Sequence, residues 1–166
     1  MNKLSVMKWM LSGLLVVSSS MVWANDVIDE IVALSPAPEG VVFEVLTHEP
    51  STWPKALSYI KKSIKRLRAK HTDMSFAIVS HGMEEFALLK EAKGKNAAVH
   101  KQIQSLVKDD VQVEVCGTFA EWNGHDENDF PDYVTVVDQA PQSVGFYEED
   151  GYEVIVITEA MLKELK

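Results

Sequence analysis

The chain is poor in cysteine. Among its 166 residues only Cys116 carries a thiol, so no disulfide can close within one molecule. That leaves the thiol as a small buried hydrophobe, a site of pairing with another molecule, or a reactive group. Basic charge is also short, with 16 Lys and Arg against 25 Asp and Glu. Phosphates demand a basic surface, so nucleic-acid binding is excluded. Long apolar runs are missing beyond the N-terminus, where no stretch reaches the about 18 apolar residues of a spanning helix. Several catalytic signatures are absent too. His81-Gly82-Met83-Glu84-Glu85 lacks a second histidine at zincin spacing, and Gly94-Lys95 stands outside any glycine-rich phosphate loop. Ser80 has no glycine two residues before it, so it is not a nucleophile elbow. There is no internal repeat and no low-complexity tract.

What the N-terminus does hold is a signal-peptide pattern. Lys3 and Lys8 precede an apolar stretch from Trp9 to Val17, and three serines lead to Val22-Trp23-Ala24. The spacing predicts cleavage after Ala24, export to the periplasm, and no stable membrane insertion afterwards. Residues 25–166 then form the mature chain. Removing two lysines leaves 14 basic residues against 25 acidic ones, a net charge of −11. One domain with one core suits that length.

Residues 25–39 read as a lead-in, with an amphipathic turn or helix stopped by Pro36 and Pro38. Strands are expected over Gly40–Thr47, Met74–Ser80, Val111–Val115, Val134–Val137 and Tyr152–Ile157, where β-branched and apolar residues crowd together. Between them lie helical patterns. Trp53, Leu57, Ile60, Ile64 and Leu67 fall on one face of a helix ending near Lys70, with Ser51 or Thr52 as its cap and Pro54 in its first turn. Further helices are expected over Ala97–Lys108, from a Thr118 cap to Trp122, from Ala140 to Gly151, and over Glu159–Lys166. Strands alternating with helices predict an α/β fold, a doubly wound, mostly parallel five-stranded sheet with helices on both faces.

The helix after Thr52 carries Lys55, Lys61, Lys62, Lys65, Arg66, Arg68 and Lys70 and no acid, so the rest of the mature chain carries −18. A solvated face, an acidic neighbouring subunit, and an anionic ligand or membrane all fit such a charge run.

Ligands in open parallel sheets bind at the carboxyl ends of the strands. Two ends bear reactive residue types, Ser80-His81-Gly82 and Cys116-Gly117-Thr118. A thiol between a strand end and a helix start lies near backbone N–H groups that favour thiolate. Gly117 is expected to leave the sulfur accessible. His81 would pair with the thiol or shuttle its proton if the two strands are neighbours. The bland alternatives are a packing cysteine and a histidine that bonds its own turn. His125-Asp126-Glu127-Asn128-Asp129 and Asp132 gather hard oxygen ligands but do not fit an EF-hand, so a solvated loop is the simpler reading. Phe119 and Trp122 are expected to cover the core near Cys116.

The motifs Ser80-His81-Gly82, Val115-Cys116-Gly117, the stretch 129–137 and the Gly151-Tyr152 step after Phe146-Tyr147-Glu148-Glu149-Asp150 together resemble the DsrE/DsrF-like family. The resemblance covers about residues 40–158. It implies a doubly wound parallel sheet that self-associates, commonly as trimers or hexamers. Better-understood members carry sulfur as a persulfide on the cysteine matching Cys116, and pass it between proteins in sulfur oxidation or tRNA thiolation. The resemblance therefore implies Cys116 as nucleophile and carrier, assisted by His81. Gly82, Gly117 and Thr118 would line the site, with the Gly117 and Thr118 N–H groups stabilising charged sulfur. A sulfur donor or acceptor protein would be the partner, with no cofactor and no metal. This chain differs from the cytoplasmic carriers in its export signal and in Phe119-Ala120-Glu121-Trp122-Asn123-Gly124 after the cysteine. The competing expectation is a ligand-binding or assembly module in which Cys116 only packs. A third is a metal-dependent hydrolase built on the acidic loop with His125 as base.

Overall fold

The computed structural model describes residues 24–165. The expected signal segment lies outside the described residues.

Six helices and five strands follow in the order α1 (Ala24–Ala33), β1 (Gly40–Val45), α2 (Trp53–Lys70), β2 (Ser75–Ser80), α3 (Ala97–Lys108), β3 (Val111–Cys116), α4 (Gly117–Trp122), β4 (Thr135–Val137), α5 (Ala140–Glu149), β5 (Tyr152–Ile157) and α6 (Glu159–Glu164). All strand pairings are parallel, and the sheet order is β4-β3-β2-β1-β5. The chain winds from β1 outward to β4, then crosses back under α5 to place β5 on the other side of β1. That reversal makes the sheet doubly wound.

The two faces are unequal. Val41, Phe43, Val45, Phe76, Ile78, Val113, Val115, Ile155 and Ile157 point to one face and join a single core with α1, α2, α3 and α6. Val42, Ala77, Val79 and Cys116 point the other way and meet Ala140 and Val144 of α5. The near-continuous apolar run of β1 follows from burial on both sides. The expected face of α2 is the buried one, with Trp53, Leu57, Ile60, Ile64 and Leu67 all inside. Gly151 closes α5 in the left-handed region, φ +84°, as a C-terminal glycine does.

Two expected caps fail. Thr52 is helical and its hydroxyl donates to Glu49 O at 2.8 Å instead of capping α2. Thr118 lies inside α4, whose N-cap is Cys116. In both cases a nearby carbonyl outcompetes the helix end for the hydroxyl.

Candidate functional site

The sheet register sets the site. Glu44, Val79 and Glu114 lie side by side across β1, β2 and β3. At about 4.8 Å per strand, the two acids stand about 10 Å apart on the face covered by α5. One step further along, His81 follows β2 beside Cys116, since Ser80 pairs with Val115. So the His81 and Cys116 strands are neighbours and both residues sit on the α5 face.

They are not bonded to each other. His81 Nε2 bonds Glu44 Oε1 at 2.7 Å, with both side chains largely buried. Glu44 lies on β1, the neighbour of β2 opposite to β3. The ring is thus drawn away from the cysteine strand. Cys116 itself is 5% exposed and packs among Val42, Ala77, Val79, Ala140 and Val144. Glu114 accepts hydrogen bonds from Ser143 Oγ and from Tyr147 Oη (2.8 Å) of α5. Burial first, and then the Glu114 carboxylate, push the Tyr147 hydroxyl well above the usual phenol range.

The three other expected site residues have structural work. A Cβ on Gly82 would come within 2.3 Å of Thr47 O and 2.5 Å of Glu84 Oε2, so only glycine fits. Gly117 packs against β4, where a Cβ would lie 3.1 Å from Val137 O. Its smallness serves that close approach and does not expose the sulfur. The Thr118 N–H and hydroxyl both donate to Asp138 O, at 3.0 and 2.7 Å. The expectation that the Thr118 N–H stabilises sulfur is therefore corrected, because the β4 end already occupies it. Gly117 and Thr118 do line an open cleft of about 520 Å³ with Glu121, Asp126, Asn128 and Asp138.

The sequence reading missed the 3-10 turn Met83–Leu88 and its two acids, both fully buried. Glu84 is saturated. Its Oε2 accepts from Thr47 N (2.7 Å) and Thr47 Oγ1 (2.9 Å). Its Oε1 accepts from Ser80 Oγ (2.7 Å) and Gly82 N (3.0 Å). It ties the ends of β1 and β2 together. Glu85 is different. Oε2 accepts from Cys116 N at 3.2 Å, while Oε1 has no partner. Burial pushes this carboxyl up to about 8, the Cys116 N–H opposes the rise, and the nearby Glu84 adds to it. The paired acids between His81-Gly82-Met83 and the apolar Phe86–Leu89 run were the available signal. Single acids inside apolar strands marked Glu44 and Glu114 in the same way.

The turn is held from behind by His100 of α3, whose Nε2 donates to Ala87 O at 3.0 Å and whose Nδ1 accepts from Tyr133 Oη. Phe86 stacks on Phe119, with centroids 5.6 Å apart. Trp122 does not join that cover and is 79% exposed. In the acidic loop, Asp126 and Asp129 cap the 3-10 turn Glu127–Asp129, and His125 Nδ1 lies 3.4 Å from Asp129 Oδ2. Among the described residues, no three His, Cys, Asp or Glu side chains gather as a metal set.

No protein-family model matches the chain, and no curated protein matches it in sequence. Solved structures do. MTH1491 of Methanobacterium thermoautotrophicum, a protein of unknown function, superposes with a TM-score of 0.58 at 18% identity, over 70% of this chain and 97% of its own. The YchN protein of E. coli superposes with a TM-score of 0.55 at 15% identity, over 71% of this chain and 99% of its own. Both are DsrE-like fold proteins. This chain has the DsrE-like fold. The DsrE-like sheet accounts for where Cys116 lies, at the carboxyl end of β3, on the thinly covered face.

Proposed function

We propose that the protein is an exported DsrE-like sulfur carrier in which Cys116 accepts and passes on one sulfur atom. In that step the Cys116 thiolate attacks the outer sulfur of a donor persulfide, R–S–SH. A bond forms between Cys116 Sγ and that sulfur while the R–S–S bond breaks. R–S⁻ leaves with the electron pair, and no net oxidation occurs. A protein donor or acceptor suits the short reach of such a group.

The observation that carries this reading is the buried Glu85 carboxyl bonded to the backbone N–H of Cys116, at the residue that bears the thiol. An ionisable group with a strongly shifted titration beside a nucleophile is a mark of functional sites. His81, locked to Glu44, adds a second ionisable pair at the adjacent strand end. Phe146 and Val156, 56% and 47% exposed on the side that α5 covers alone, support self-association across that face.

A second reading has its own observation. Cys116 is 5% exposed among apolar side chains, which suits a ligand-binding or assembly module with an inert thiol. Intact mass of the mature protein, purified from the periplasm without reductant, separates the two. A carrier shows an adduct of one sulfur atom that reductant removes and that Cys116→Ala abolishes. A bare Cys116 that alkylates only after denaturation refutes the carrier and leaves the module.

A further inference from the structure

The basic residues of this chain are segregated. Of the 14 in residues 25–166, seven lie on α2 and two, Lys101 and Lys108, on α3, and neither helix holds an acid. The two helices cover the same face of the sheet. Arg68 Nη2 joins their ends by donating to Asp109 O, just after α3, at 2.6 Å. Two of the bases are occupied within the molecule. Arg66 pairs with Asp29 of α1, and Arg68 also lies over the Phe76 ring. The other seven are exposed lysines, Lys55, Lys61, Lys62, Lys65 and Lys70 on α2 with Lys101 and Lys108 on α3. None of them has an ion pair among the described residues. Lys61 and Lys65, like Lys62 and Arg66, stand four apart on the helix. Like charges at that spacing oppose helix formation, so folding does not account for the run.

We infer that the α2–α3 face docks on an anionic phospholipid bilayer. From Lys55 to Lys70 the charge keeps one sign over about 22 Å of helix. A surface of uniform opposite charge matches it without any register. A protein partner fits less well. Interface cores favour aromatic residues and disfavour lysine, and the exposed large apolar residues, Leu46, Phe146 and Val156 among them, all lie off α2 and α3. A small anion fits less well too. The open cleft near Arg68 and Lys108 also holds Asp73, Asp109 and Asp110, which offset their charge.

The acids elsewhere in the chain do not forbid the contact, because exposed charges more than about 8 Å away are largely screened at physiological salt. The attachment is electrostatic and reversible, with nothing inserted. The α5 face lies across the sheet, so Cys116 and the face proposed for self-association point away from the bilayer. The inference does not depend on sulfur transfer by Cys116.

The test is sedimentation of the mature protein with vesicles of equal parts phosphatidylglycerol and phosphatidylcholine, and with vesicles of phosphatidylcholine alone. Binding to the anionic vesicles only is expected. It should fall away as salt rises from about 10 mM to about 150 mM, where the screening length shrinks from about 30 Å to about 8 Å. Each lysine near such a surface is expected to contribute about fivefold to partitioning, so Lys62→Gln with Lys65→Gln should weaken binding about 30-fold. Gln139→Glu with Gln142→Glu, at the start of α5, changes the net charge equally and should leave binding within about twofold. All four positions are exposed, so both variants should keep the wild-type circular dichroism. No binding to anionic vesicles at low salt overturns the inference, as does equal binding to both kinds of vesicle. Equal weakening by the two variants removes the α2–α3 face as the docking surface. A wild type that ignores vesicles but loses mass in light scattering on Lys62→Gln with Lys65→Gln gives the face to a second copy instead.

Discussion

Replacing Glu85 by Gln is expected to stabilise this protein, by an amount that depends on pH. Burial raises the Glu85 carboxyl from 4.5 to about 8 in the folded chain. A group raised on folding contributes fully below its unfolded value, and that contribution is lost as pH rises to the folded value. At pH 7 the unfolded chain has ionised Glu85 and the folded chain has not. The gap of about 2.5 units corresponds to about 3 kcal/mol against folding, approaching about 5 kcal/mol above pH 8. Glutamine stays neutral in both states and escapes this loss. It still accepts from Cys116 N, and its extra N–H inherits the unpartnered place of Oε1, which returns part of the gain. For a domain of this size about 3 kcal/mol is about 10 °C in Tm. Melting by circular dichroism from pH 5 to 8.5 reads it. The two proteins should melt close together at pH 5, and Glu85→Gln should draw ahead by about 10 °C near pH 8. Parallel melting curves across that range would mean that Glu85 titrates normally, and the case for a burdened acid beside Cys116 would fail.

Gly82→Ala is expected to cost more than about 3 kcal/mol or abolish folding, because its Cβ would strike Thr47 O and the Glu84 carboxylate together; urea titration measures it, and a loss under 1 kcal/mol contradicts the packing described. Val156→Asp is expected to leave the Tm within a few degrees, since Val156 is half-exposed, while abolishing the proposed self-association in light scattering; a wild type that is already monomeric, or an unchanged mass, removes this face as an interface.

The strands and long helices were legible because their signals are local. The apolar run 40–47 and the 3- and 4-residue spacing from Trp53 to Leu67 reflect burial patterns that neighbouring residues state on their own. The turn Met83–Leu88 was not legible as structure. It has no periodicity, and its acids make sense only against Thr47 and Cys116, 37 and 31 residues away. The same holds for Thr52 and Thr118, which had cap-like positions and met closer carbonyls. His81 was placed at a strand end, but its adjacency to the Cys116 strand was conditional and came only from the sheet register, and no sequence rule says which neighbouring strand draws its ring.

By itself, then, the sequence determined the α/β class, the strand-end position of Cys116 and the absence of any internal disulfide. Each follows from composition or from a repeat distance shorter than one element. Only the tertiary structure decided that His81 turns to Glu44, that Cys116 is buried beneath α5, and that Glu85 loses its solvent and its second hydrogen bond. Those outcomes depend on sheet order and on which face of each strand is covered. Long-range packing sets both, and it can move a carboxyl by units of pH without changing one neighbour in sequence.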